Sequence, residues 1–166
     1  KAKNILELGC GSASLTKELN KDQQYVGIDL NTKLIKILKK RFPKYKFYNS
    51  NLEKNQLETK EKFDLILLVA FIEHLKNPDP LMINSRNLLM GKGKIVMTTP
   101  TWIGDKLNTI GAYLGLTAMS AVKDHEIIYN KRKMKALAQR NDLEIETFKY
   151  FQFGLNQLIV MGKKYK

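Results

Sequence analysis

The sequence of 166 residues has few of the features that stabilise secreted proteins or anchor membrane proteins. It contains one cysteine, Cys10, so it cannot form an internal disulfide, and we expect a cytoplasmic protein. No apolar run approaches the roughly 20 residues that span a bilayer, and no segment near the start resembles a signal peptide. A chain of this length can bury a substantial core without a disulfide or a structural metal. We therefore predict a single domain over residues 1–166.

Acidic residues are scarce compared with basic ones, 16 against 29, which gives a formal net charge of +13. Such a charge can attract nucleic acid, a phospholipid surface or an acidic carrier protein. The basic residues are spread along the chain, with dense stretches at 33–46 and 131–135. Charge without interleaved stacking aromatics is weak evidence for nucleic acid. We therefore favour a solvated lysine-rich surface over a nucleic-acid partner.

Short apolar runs rich in β-forming residues alternate with longer stretches of helical periodicity, which predicts an α/β fold with a parallel sheet covered by helices. Asn31 or Thr32 can cap the second predicted helix, and Pro43 ends it. The predicted strands are 3–8, 24–29, 45–49, 63–69 and 93–98, and the predicted helices are 13–20, 31–41 and 79–90.

The alternation breaks after Pro100. Apolar residues at helical spacing, interrupted by glycines, predict an inserted amphipathic element over residues 101–123. A last helix is predicted at 130–141, and the apolar runs 143–151 and 155–161 predict an antiparallel closing hairpin. At the other end, the first predicted strand begins almost at residue 1. We therefore expect the helix that normally precedes it to be missing, as in a trimmed chain or a piece of a longer protein.

A glycine turn, Gly9-Cys10-Gly11, lies between the first predicted strand and a predicted helix, at the sheet edge where open α/β folds bind ligands. Glycine permits a tight turn and a close approach of backbone to ligand, and a helix amino terminus offers N–H groups to an anion. Asp29 ends the second strand, where a carboxylate can accept hydrogen bonds from both ribose hydroxyls. Together these residues indicate a ligand that contains a nucleoside. Ser14, where nicotinamide enzymes carry a glycine or alanine, and Glu7 argue against a nicotinamide cofactor.

At these residues the chain resembles the class I S-adenosylmethionine-dependent methyltransferases, whose first motif reads E-x-G-x-G and whose second strand ends in a ribose-binding acid. Later landmarks follow in the family's order. They are Asn51-Leu52, the strand 63–69, the segment Phe71-Ile72-Glu73-His74-Leu75, and the glycine turn and strand of 91–100. The segment 71–75 resembles the "leucine-glutamate-histidine" helix start of ubiquinone/menaquinone-type and related small-molecule (type 11) methyltransferases. The resemblance implies a Rossmann-like seven-stranded sheet of order 3-2-1-4-5-7-6, with the last strand antiparallel and helices on both faces.

The same resemblance implies S-adenosylmethionine as cofactor, S-adenosylhomocysteine as product, and roles for individual residues. Gly9 and Gly11 would approach the methionine part, and Asp29 would hold the ribose. Glu7 would orient the glycine turn or the cofactor's amino group, or be a charge at a strand end. The remaining expected cofactor contacts are Cys10 as a small bystander in the turn, Leu30 and Leu52 on the two faces of the adenine or in the core, Asn51 near the adenine amino group, and Val69 at the end of the fourth strand.

Methyl transfer from a sulfonium needs little beyond in-line positioning of the nucleophile, and a base only where the acceptor carries a proton. The two histidines, His74 and His125, fall in segments that face the acceptor in this family. Either could act as the base for a hydroxyl acceptor, or both could fix local structure. A third hypothesis is a metal ion bound by Glu73, His74 and His125. In some relatives a further glutamate completes such a site, but this chain has Ala70 there, so we predict no metal.

The acceptor is expected to be a small hydrophobic or aromatic molecule, methylated at oxygen or nitrogen. Val69-Ala70-Phe71-Ile72 stands where enzymes that methylate the amino groups of bases carry an Asn/Asp-Pro-Pro-Tyr/Phe tetrapeptide. Residues 101–123, called the lid segment below, would cover the acceptor, and Phe71, Trp102 and Tyr113 would contact it. The lid segment could instead pack on the domain, a membrane or a second subunit. A methyltransferase acting on RNA or protein, and a nucleoside-binding domain without catalysis, remain the alternatives.

Overall fold

The computed structural model describes residues 2–55, 57, 59–113 and 126–164, with 108–113 described by their backbone alone. Seven strands of these described residues form one sheet of order β3-β2-β1-β4-β5-β7-β6. The first five strands are parallel, and β7 runs antiparallel to its neighbours β5 and β6. The predicted strand order and antiparallel last strand are confirmed. The strands are β1 (Asn4–Leu8), β2 (Gln24–Asp29), β3 (Lys46–Asn49), β4 (Phe63–Val69), β5 (Leu89–Pro100), β6 (Leu143–Phe151) and β7 (Asn156–Lys163).

Two of the described helices begin at asparagine caps. Asn31 accepts a hydrogen bond from the Leu34 N–H at 3.0 Å, which confirms it as the cap of the second predicted helix. Asn130 caps the last helix in the same way, through the Lys133 N–H at 2.9 Å. None of the described helices is long and apolar enough to cross a bilayer. The helices are α1 (Thr32–Arg41), α2 (Asp79–Leu88), α3 (Trp102–Tyr113) and α4 (Lys131–Arg140).

The predicted helix at 13–20 is wrong. The structure has a short 3₁₀ turn, Ser14–Glu18, instead. Ala13 adopts a left-handed φ of 53° before it, and the Thr16 hydroxyl donates to the Ala13 carbonyl oxygen at 2.7 Å. This local hydrogen bonding tightens the chain into 3₁₀ geometry, which rarely runs beyond a few residues. The glycine turn is therefore not followed by an α-helix amino terminus.

The third predicted helix is also shorter than expected, because α2 ends at Leu88 and β5 begins at Leu89. Leu89 pairs with Phe63 of β4, and both side chains are buried. A Cβ at Gly93 would lie 2.8 Å from the Phe63 carbonyl oxygen, so glycine permits the close approach of the two strands there. The buried pairing at Leu89 lengthens the strand that periodicity placed at 93–98.

The sheet is buried on both faces. On one face, Ile5, Tyr25 and Phe47 pack with Ile35 and Leu38 of α1. On the other face, a larger cluster that includes Leu6, Val26, Ile66 and Ile95 packs against α2 and α4. Because neighbouring parallel strands end at the same side, β1, β2, β3 and β4 bring Leu8, Asp29, Asn49 and Val69 to one edge of the sheet.

Candidate functional site

The glycine turn is held against the end of β2. The N–H groups of Gly9 and Cys10 both donate to the carbonyl oxygen of Ile28, each at 2.9 Å. Gly9 and Gly11 have left-handed φ angles of 73° and 49°, which side-chain-bearing residues rarely adopt. Apart from Gly11 and its two chain neighbours, no heavy atom of the described residues lies within 4 Å of the position that a Cβ at Gly11 would occupy. The turn therefore presents open space in front of Gly11.

Asp29 joins the glycine turn to the start of α1. Its Oδ2 accepts the Gly11 N–H at 2.9 Å, and its Oδ1 accepts the Asn31 N–H at 2.9 Å. A carboxylate oxygen has two lone pairs, so each oxygen keeps capacity for a further donor. The half-buried Asp29 can therefore hold the turn and still accept hydrogen bonds from a ligand.

A cavity of about 160 Å³ opens beside Asp29 at the carboxyl edge of the sheet. It brings together six residues that the sequence singled out: Asp29, Leu30, Asn51, Leu52, Phe71 and His74. Ser50, Glu53 and Leu75 complete its lining.

Two leucines lie on the walls of this cavity and differ in burial. The Leu30 side chain is 65% exposed, whereas Leu52 is 7% exposed and belongs to the larger core cluster. Leu30 is therefore a surface leucine at the mouth of the cavity, where an apolar ligand group could cover it. Leu52 combines a core position with a place in the cavity wall.

Phe71 lies over the glycine turn. A Cβ at Gly9 would be 2.7 Å from Cγ of the Phe71 ring, so the ring occupies the space that any side chain at position 9 would need. Ala70, with a left-handed φ of 47°, turns the chain at the end of β4, and its N–H donates to the Thr98 carbonyl oxygen at 3.0 Å. The end of β4 thus positions an aromatic ring between the turn and the cavity.

Asn49 and Ser50 were not predicted from the sequence, and both hold the backbone at the end of β2 by hydrogen bonds. The Asn49 side-chain amide donates to the carbonyl oxygens of Asp29 and Leu30 at 3.0 and 2.7 Å. The Ser50 N–H donates to the Asp29 carbonyl oxygen at 3.1 Å. The signal for Asn49 was its place at the end of the third strand, which parallel pairing puts opposite Asp29.

Asn51 lines the cavity, and part of its side chain has a local role. Its Oδ1 accepts the Glu53 N–H at 3.0 Å, which closes a turn after β3. Its carbonyl oxygen accepts the N–H groups of Lys54 and Asn55 at 3.1 and 2.9 Å. Asn51 therefore shapes the wall of the cavity through its own turn.

Glu7 and Cys10 lie beneath the glycine turn, on the α1 side of the sheet. Glu7 is 6% exposed, and its Oε2 accepts a short hydrogen bond from the Tyr25 hydroxyl. Burial raises the pKa of Glu7, while the Tyr25 hydrogen bond lowers it. Burial, with the charges of Asp29 and Glu7, raises the pKa of Cys10 to about 12. Cys10 is therefore a buried thiol and not an activated nucleophile.

Other predicted site residues lie outside the cavity lining. Val69 is 48% exposed at the end of β4, and Trp102 is 58% exposed on α3. Tyr113 ends α3 and is described by its backbone only, and His125 lies outside the described residues. Among the residues whose side chains are described, Val69 and Trp102 thus stand apart from the six that line the cavity.

The start of the lid segment is anchored on the β6–β7 hairpin. The Thr101 N–H donates to the Leu155 carbonyl oxygen at 2.9 Å, and its hydroxyl donates to the Gly154 carbonyl oxygen at 2.8 Å. The Thr101 hydroxyl oxygen also accepts the Gly104 N–H at 3.2 Å, so this threonine caps α3. Trp102, Ile103 and Leu107 are each about half exposed or more on α3. The helix therefore carries an apolar surface on a fixed base.

His74 lines the cavity next to Phe71, whose carbonyl oxygen accepts the His74 N–H at 3.1 Å. The Glu73 side chain is buried, and its carbonyl oxygen accepts the N–H groups of Glu126 and Ile127 at 2.8 and 3.2 Å. Within the part of the chain that the structure describes, no three His, Cys, Asp or Glu side chains are grouped so as to hold a metal ion.

A larger cavity of about 270 Å³ is lined by residues of β1, β2 and β3, among them Leu6, Val26, Ile28 and Tyr48. It lies on the face of the sheet that carries the larger core cluster. None of the residues singled out by the sequence lines it. Its walls carry no arrangement of glycine backbone and carboxylate comparable with that at Gly11 and Asp29. The smaller cavity at the carboxyl edge is therefore the candidate site.

Known proteins resemble this chain in sequence and in fold. Residues 6–95, more than half of the chain, match a family model described as a methyltransferase domain. The chain belongs to this methyltransferase family. The methyltransferase domain is 30% identical over 104 residues to a ubiquinone biosynthesis O-methyltransferase of Coxiella burnetii, a match that covers 60% of this chain and 44% of that relative. The chain thus spans less than half the length of the curated relatives it matches.

Solved structures match the methyltransferase domain over nearly its whole length. One is a TehB-like SAM-dependent methyltransferase from Corynebacterium glutamicum, with a TM-score of 0.71, 21% identity, and coverage of 98% of this chain and 80% of the other. Another is the plantazolicin methyltransferase BpumL in complex with a triazolic desmethylPZN analog and SAH, with a TM-score of 0.79, 14% identity, and coverage of 99% and 78%. At these identities the matches establish the fold.

Proposed function

We propose that this domain binds S-adenosylmethionine and transfers its methyl group to an oxygen atom of a small hydrophobic or aromatic molecule. The observation that carries the proposal is the hydrogen bond from the Gly11 N–H to Asp29, because it joins an open glycine turn to a carboxylate that lines the cavity. The name of the Coxiella burnetii relative favours an oxygen acceptor, and nitrogen is the alternative. The single cysteine supports our proposal of a cytoplasmic enzyme.

The residues present fit the cofactor. Asp29 would accept the ribose hydroxyls, and Leu30 and Leu52 would border the adenine. Asn51 would lie near the adenine amino group. The cavity of about 160 Å³ is smaller than the roughly 300–1,000 Å³ of ligand pockets, so it would take only the nucleoside end. The amino-acid end would lie over the glycine turn beside Gly11, where the structure leaves open space.

When bound, S-adenosylmethionine supplies a methyl group on an already activated sulfonium. The chain's own contribution would be positioning and exclusion of water, because an in-line approach supplies most of the rate. Phe71 would separate the cofactor's amino-acid end from the acceptor, and Val69 would border the cofactor at the end of β4. The lid segment, with Trp102 and Tyr113, would cover an apolar acceptor. His74 or His125 would take the proton of a hydroxyl acceptor.

Methyl transfer to RNA is a second candidate function, and the surface of α1 favours it. Residues 30–52 contain no Asp or Glu, and Lys33, Lys36 and Lys40 are exposed on the helix face opposite the buried Ile35 and Leu38. A lysine stripe of this kind can contact phosphates. Binding of RNA that weakens steeply with salt, with methyl incorporation into the RNA, would favour this function over the small-molecule one.

Calorimetry with S-adenosylhomocysteine tests the cofactor proposal directly. Asp29→Ala should weaken binding roughly 10- to 100-fold, because charged hydrogen bonds contribute about 1.5–3 kcal/mol each. Asp22→Ala is the control, since Asp22 is an exposed acid before β2 that does not line the cavity. Equal affinities for the two variants would reject the ribose assignment.

Turnover is tested separately with labelled S-adenosylmethionine and a panel of phenols, catechols and amines. Label in an apolar phenolic product supports the proposed reaction, and its loss in His74→Ala or His125→Ala would identify the base. Tight cofactor binding without turnover on any acceptor would favour the non-catalytic alternative.

A further inference from the structure

Glu7 is a buried acid with no cationic partner among the described residues. Its side chain is 6% exposed, two positions before Gly9 at the end of β1. None of the lysine, arginine or histidine side chains that the structure describes forms an ion pair with it. A buried charge is costly unless it is paired or hydrogen-bonded. This carboxyl has a hydrogen bond from Tyr25 to one oxygen, and no counter-charge from the residues that the structure describes.

The backbone makes room for this hydrogen bond. Gly27 pairs with Glu7 in the sheet, and a Cβ at Gly27 would lie 3.0 Å from both Cε1 of Tyr25 and Sγ of Cys10. The Tyr25 ring is fixed further by an edge contact with Tyr45 and a tilted contact with Phe47, at ring-centroid distances of 5.6 and 5.8 Å. The tyrosine hydroxyl is therefore held against Glu7 by packing on several sides.

The groups around Glu7 that can titrate are few. Tyr25 on β2 and Cys10 in the glycine turn are its neighbours, and Asp29 acts on Cys10 from the end of β2. The elements packed on this face present apolar side chains, namely Ile35 and Leu38 from α1, Phe47 from β3 and Leu67 from β4. Burial raises the pKa of Glu7, and the Tyr25 hydrogen bond opposes that rise. Tyr25 is thus the described group that favours the ionised carboxyl.

We propose that Tyr25 is a positioning residue for the cofactor site, holding Glu7 as a fixed counter-charge for the cationic amino-acid end of the ligand. Tyr25 takes Oε2 and leaves Oε1, which accepts no hydrogen bond from the described residues, for the ammonium group of the ligand. The ligand would supply the positive charge that the described residues do not bring to Glu7. This inference rests on the proposed function, because it assigns a role within the same S-adenosylmethionine site.

The test compares two ligands that differ in the amino-acid group. S-adenosylhomocysteine carries the ammonium, whereas 5′-methylthioadenosine has the nucleoside and sulfur without the amino acid. Tyr25→Phe should weaken binding of the first roughly 10-fold, the value of one charged hydrogen bond, and leave binding of the second unchanged. Tyr45→Phe is the matched control, because the Tyr45 ring packs on Tyr25, and among the described residues Glu7 accepts a hydrogen bond from Tyr25 and none from Tyr45.

The pH profile separates positioning from a structural role. Without the Tyr25 hydrogen bond, Glu7 should become protonated at a higher pH, so the affinity of Tyr25→Phe for S-adenosylhomocysteine should begin to fall earlier on acidification. Glu7→Gln should bind S-adenosylhomocysteine no more tightly than 5′-methylthioadenosine, and its affinity for S-adenosylhomocysteine should depend little on pH. This second variant tests the idea even if Tyr25→Phe folds poorly.

The outcomes are distinguishable. The positioning role would be overturned if folded Tyr25→Phe lost affinity equally for both ligands. It would also be overturned if Glu7→Gln still bound S-adenosylhomocysteine more tightly than 5′-methylthioadenosine by the wild-type factor. Either result would leave the proposed function intact. Failure of the wild-type domain to bind either ligand would overturn the proposed function itself.

Discussion

The backbone N–H of Gly11 donates to Oδ2 of Asp29 over 2.9 Å, although the two residues are 18 positions apart in the chain. Asp29 therefore both shapes the glycine turn and offers oxygen atoms to a ligand. Both oxygens of Asp29 accept a backbone N–H, one from Gly11 and one from Asn31. An asparagine has one oxygen and one NH₂ group, so its NH₂ donor would face one of these two N–H donors, and that hydrogen bond would be lost. The carboxylate is thus needed for the turn as well as for the ribose.

Asp29→Asn, although isosteric, should weaken S-adenosylhomocysteine binding by roughly 10-fold or more. The Gly11 amide should also exchange with solvent faster, because it loses its acceptor. Calorimetry and amide exchange measured by NMR check the two effects, with Asp22→Asn as the control. Unchanged exchange at Gly11 would show that the carboxylate does not hold the turn.

Gly9→Ala should destabilise the fold and disrupt the turn. The new Cβ would lie 2.7 Å from Cγ of Phe71, and the φ of 73° is unfavourable for any residue with a side chain. We expect a loss of about 1–3 kcal/mol in the free energy of unfolding. Gly11→Ala is the control, since it shares the positive φ but has open space at its Cβ. Equal losses in the two variants would mean that contact with Phe71 contributes nothing.

Glu7→Gln should become more stable relative to wild type as the pH rises. Burial raises the folded-state pKa of Glu7 above its ordinary value of 4.5. A carboxyl with a raised folded pKa loses stability as the pH increases from the unfolded pKa through the folded one. Glutamine does not titrate and can still accept the Tyr25 hydrogen bond. The difference in Tm between variant and wild type should therefore grow from about pH 4.5 upward. A difference in Tm that shrinks as the pH rises would contradict a raised folded-state pKa of Glu7.

Cys10 should react slowly with thiol reagents in the folded protein. Burial and the neighbouring carboxylates raise its pKa to about 12, so almost no thiolate is present at pH 8. We expect labelling by iodoacetamide to be at least roughly 100-fold slower than for an exposed thiol. The same protein in guanidinium chloride is the control, because its only cysteine is then exposed. Rapid labelling without denaturant would show that the turn opens readily.

Gly104→Ala should displace the start of α3 from the hairpin. A Cβ at this buried position would lie 2.8 Å from the carbonyl carbon of Leu155, and backbone cannot yield as a flexible side chain can. Overpacking of this kind costs about 1–3 kcal/mol. We expect turnover on an apolar acceptor to fall while S-adenosylhomocysteine affinity stays within about twofold of wild type, since Gly104 does not line the cofactor cavity. An equal fall in both would place α3 in the cofactor site. Gly154→Ala has open space at its Cβ but a left-handed φ of 84°, so it measures the effect of backbone strain without a clash in the same region.

Much of the fold was predictable because the signals are local. Alternating apolar runs gave the strands, and parallel pairing puts their ends on one edge, which brings Gly9, Asp29 and Asn51 into one region. The helix at 13–20 was mispredicted because helical periodicity does not distinguish an α-helix from a short 3₁₀ turn. The left-handed backbone at Ala13 that decides between them was not visible in the residue type.

The sequence by itself determined the strand order, through its family resemblance, and the chemical character of the cofactor site, because glycines and a carboxylate at strand ends have few other uses. Only the tertiary structure decided which side chains meet. Tyr25 and Glu7 are 18 residues apart and carry no motif in common, yet the pairing of β1 with β2 and the missing Cβ at Gly27 bring the hydroxyl to the carboxyl. A buried contact of this kind depends on the register of two strands and on the packing between them. Neither can be predicted from one local segment of sequence, because both depend on residues that are distant in the chain.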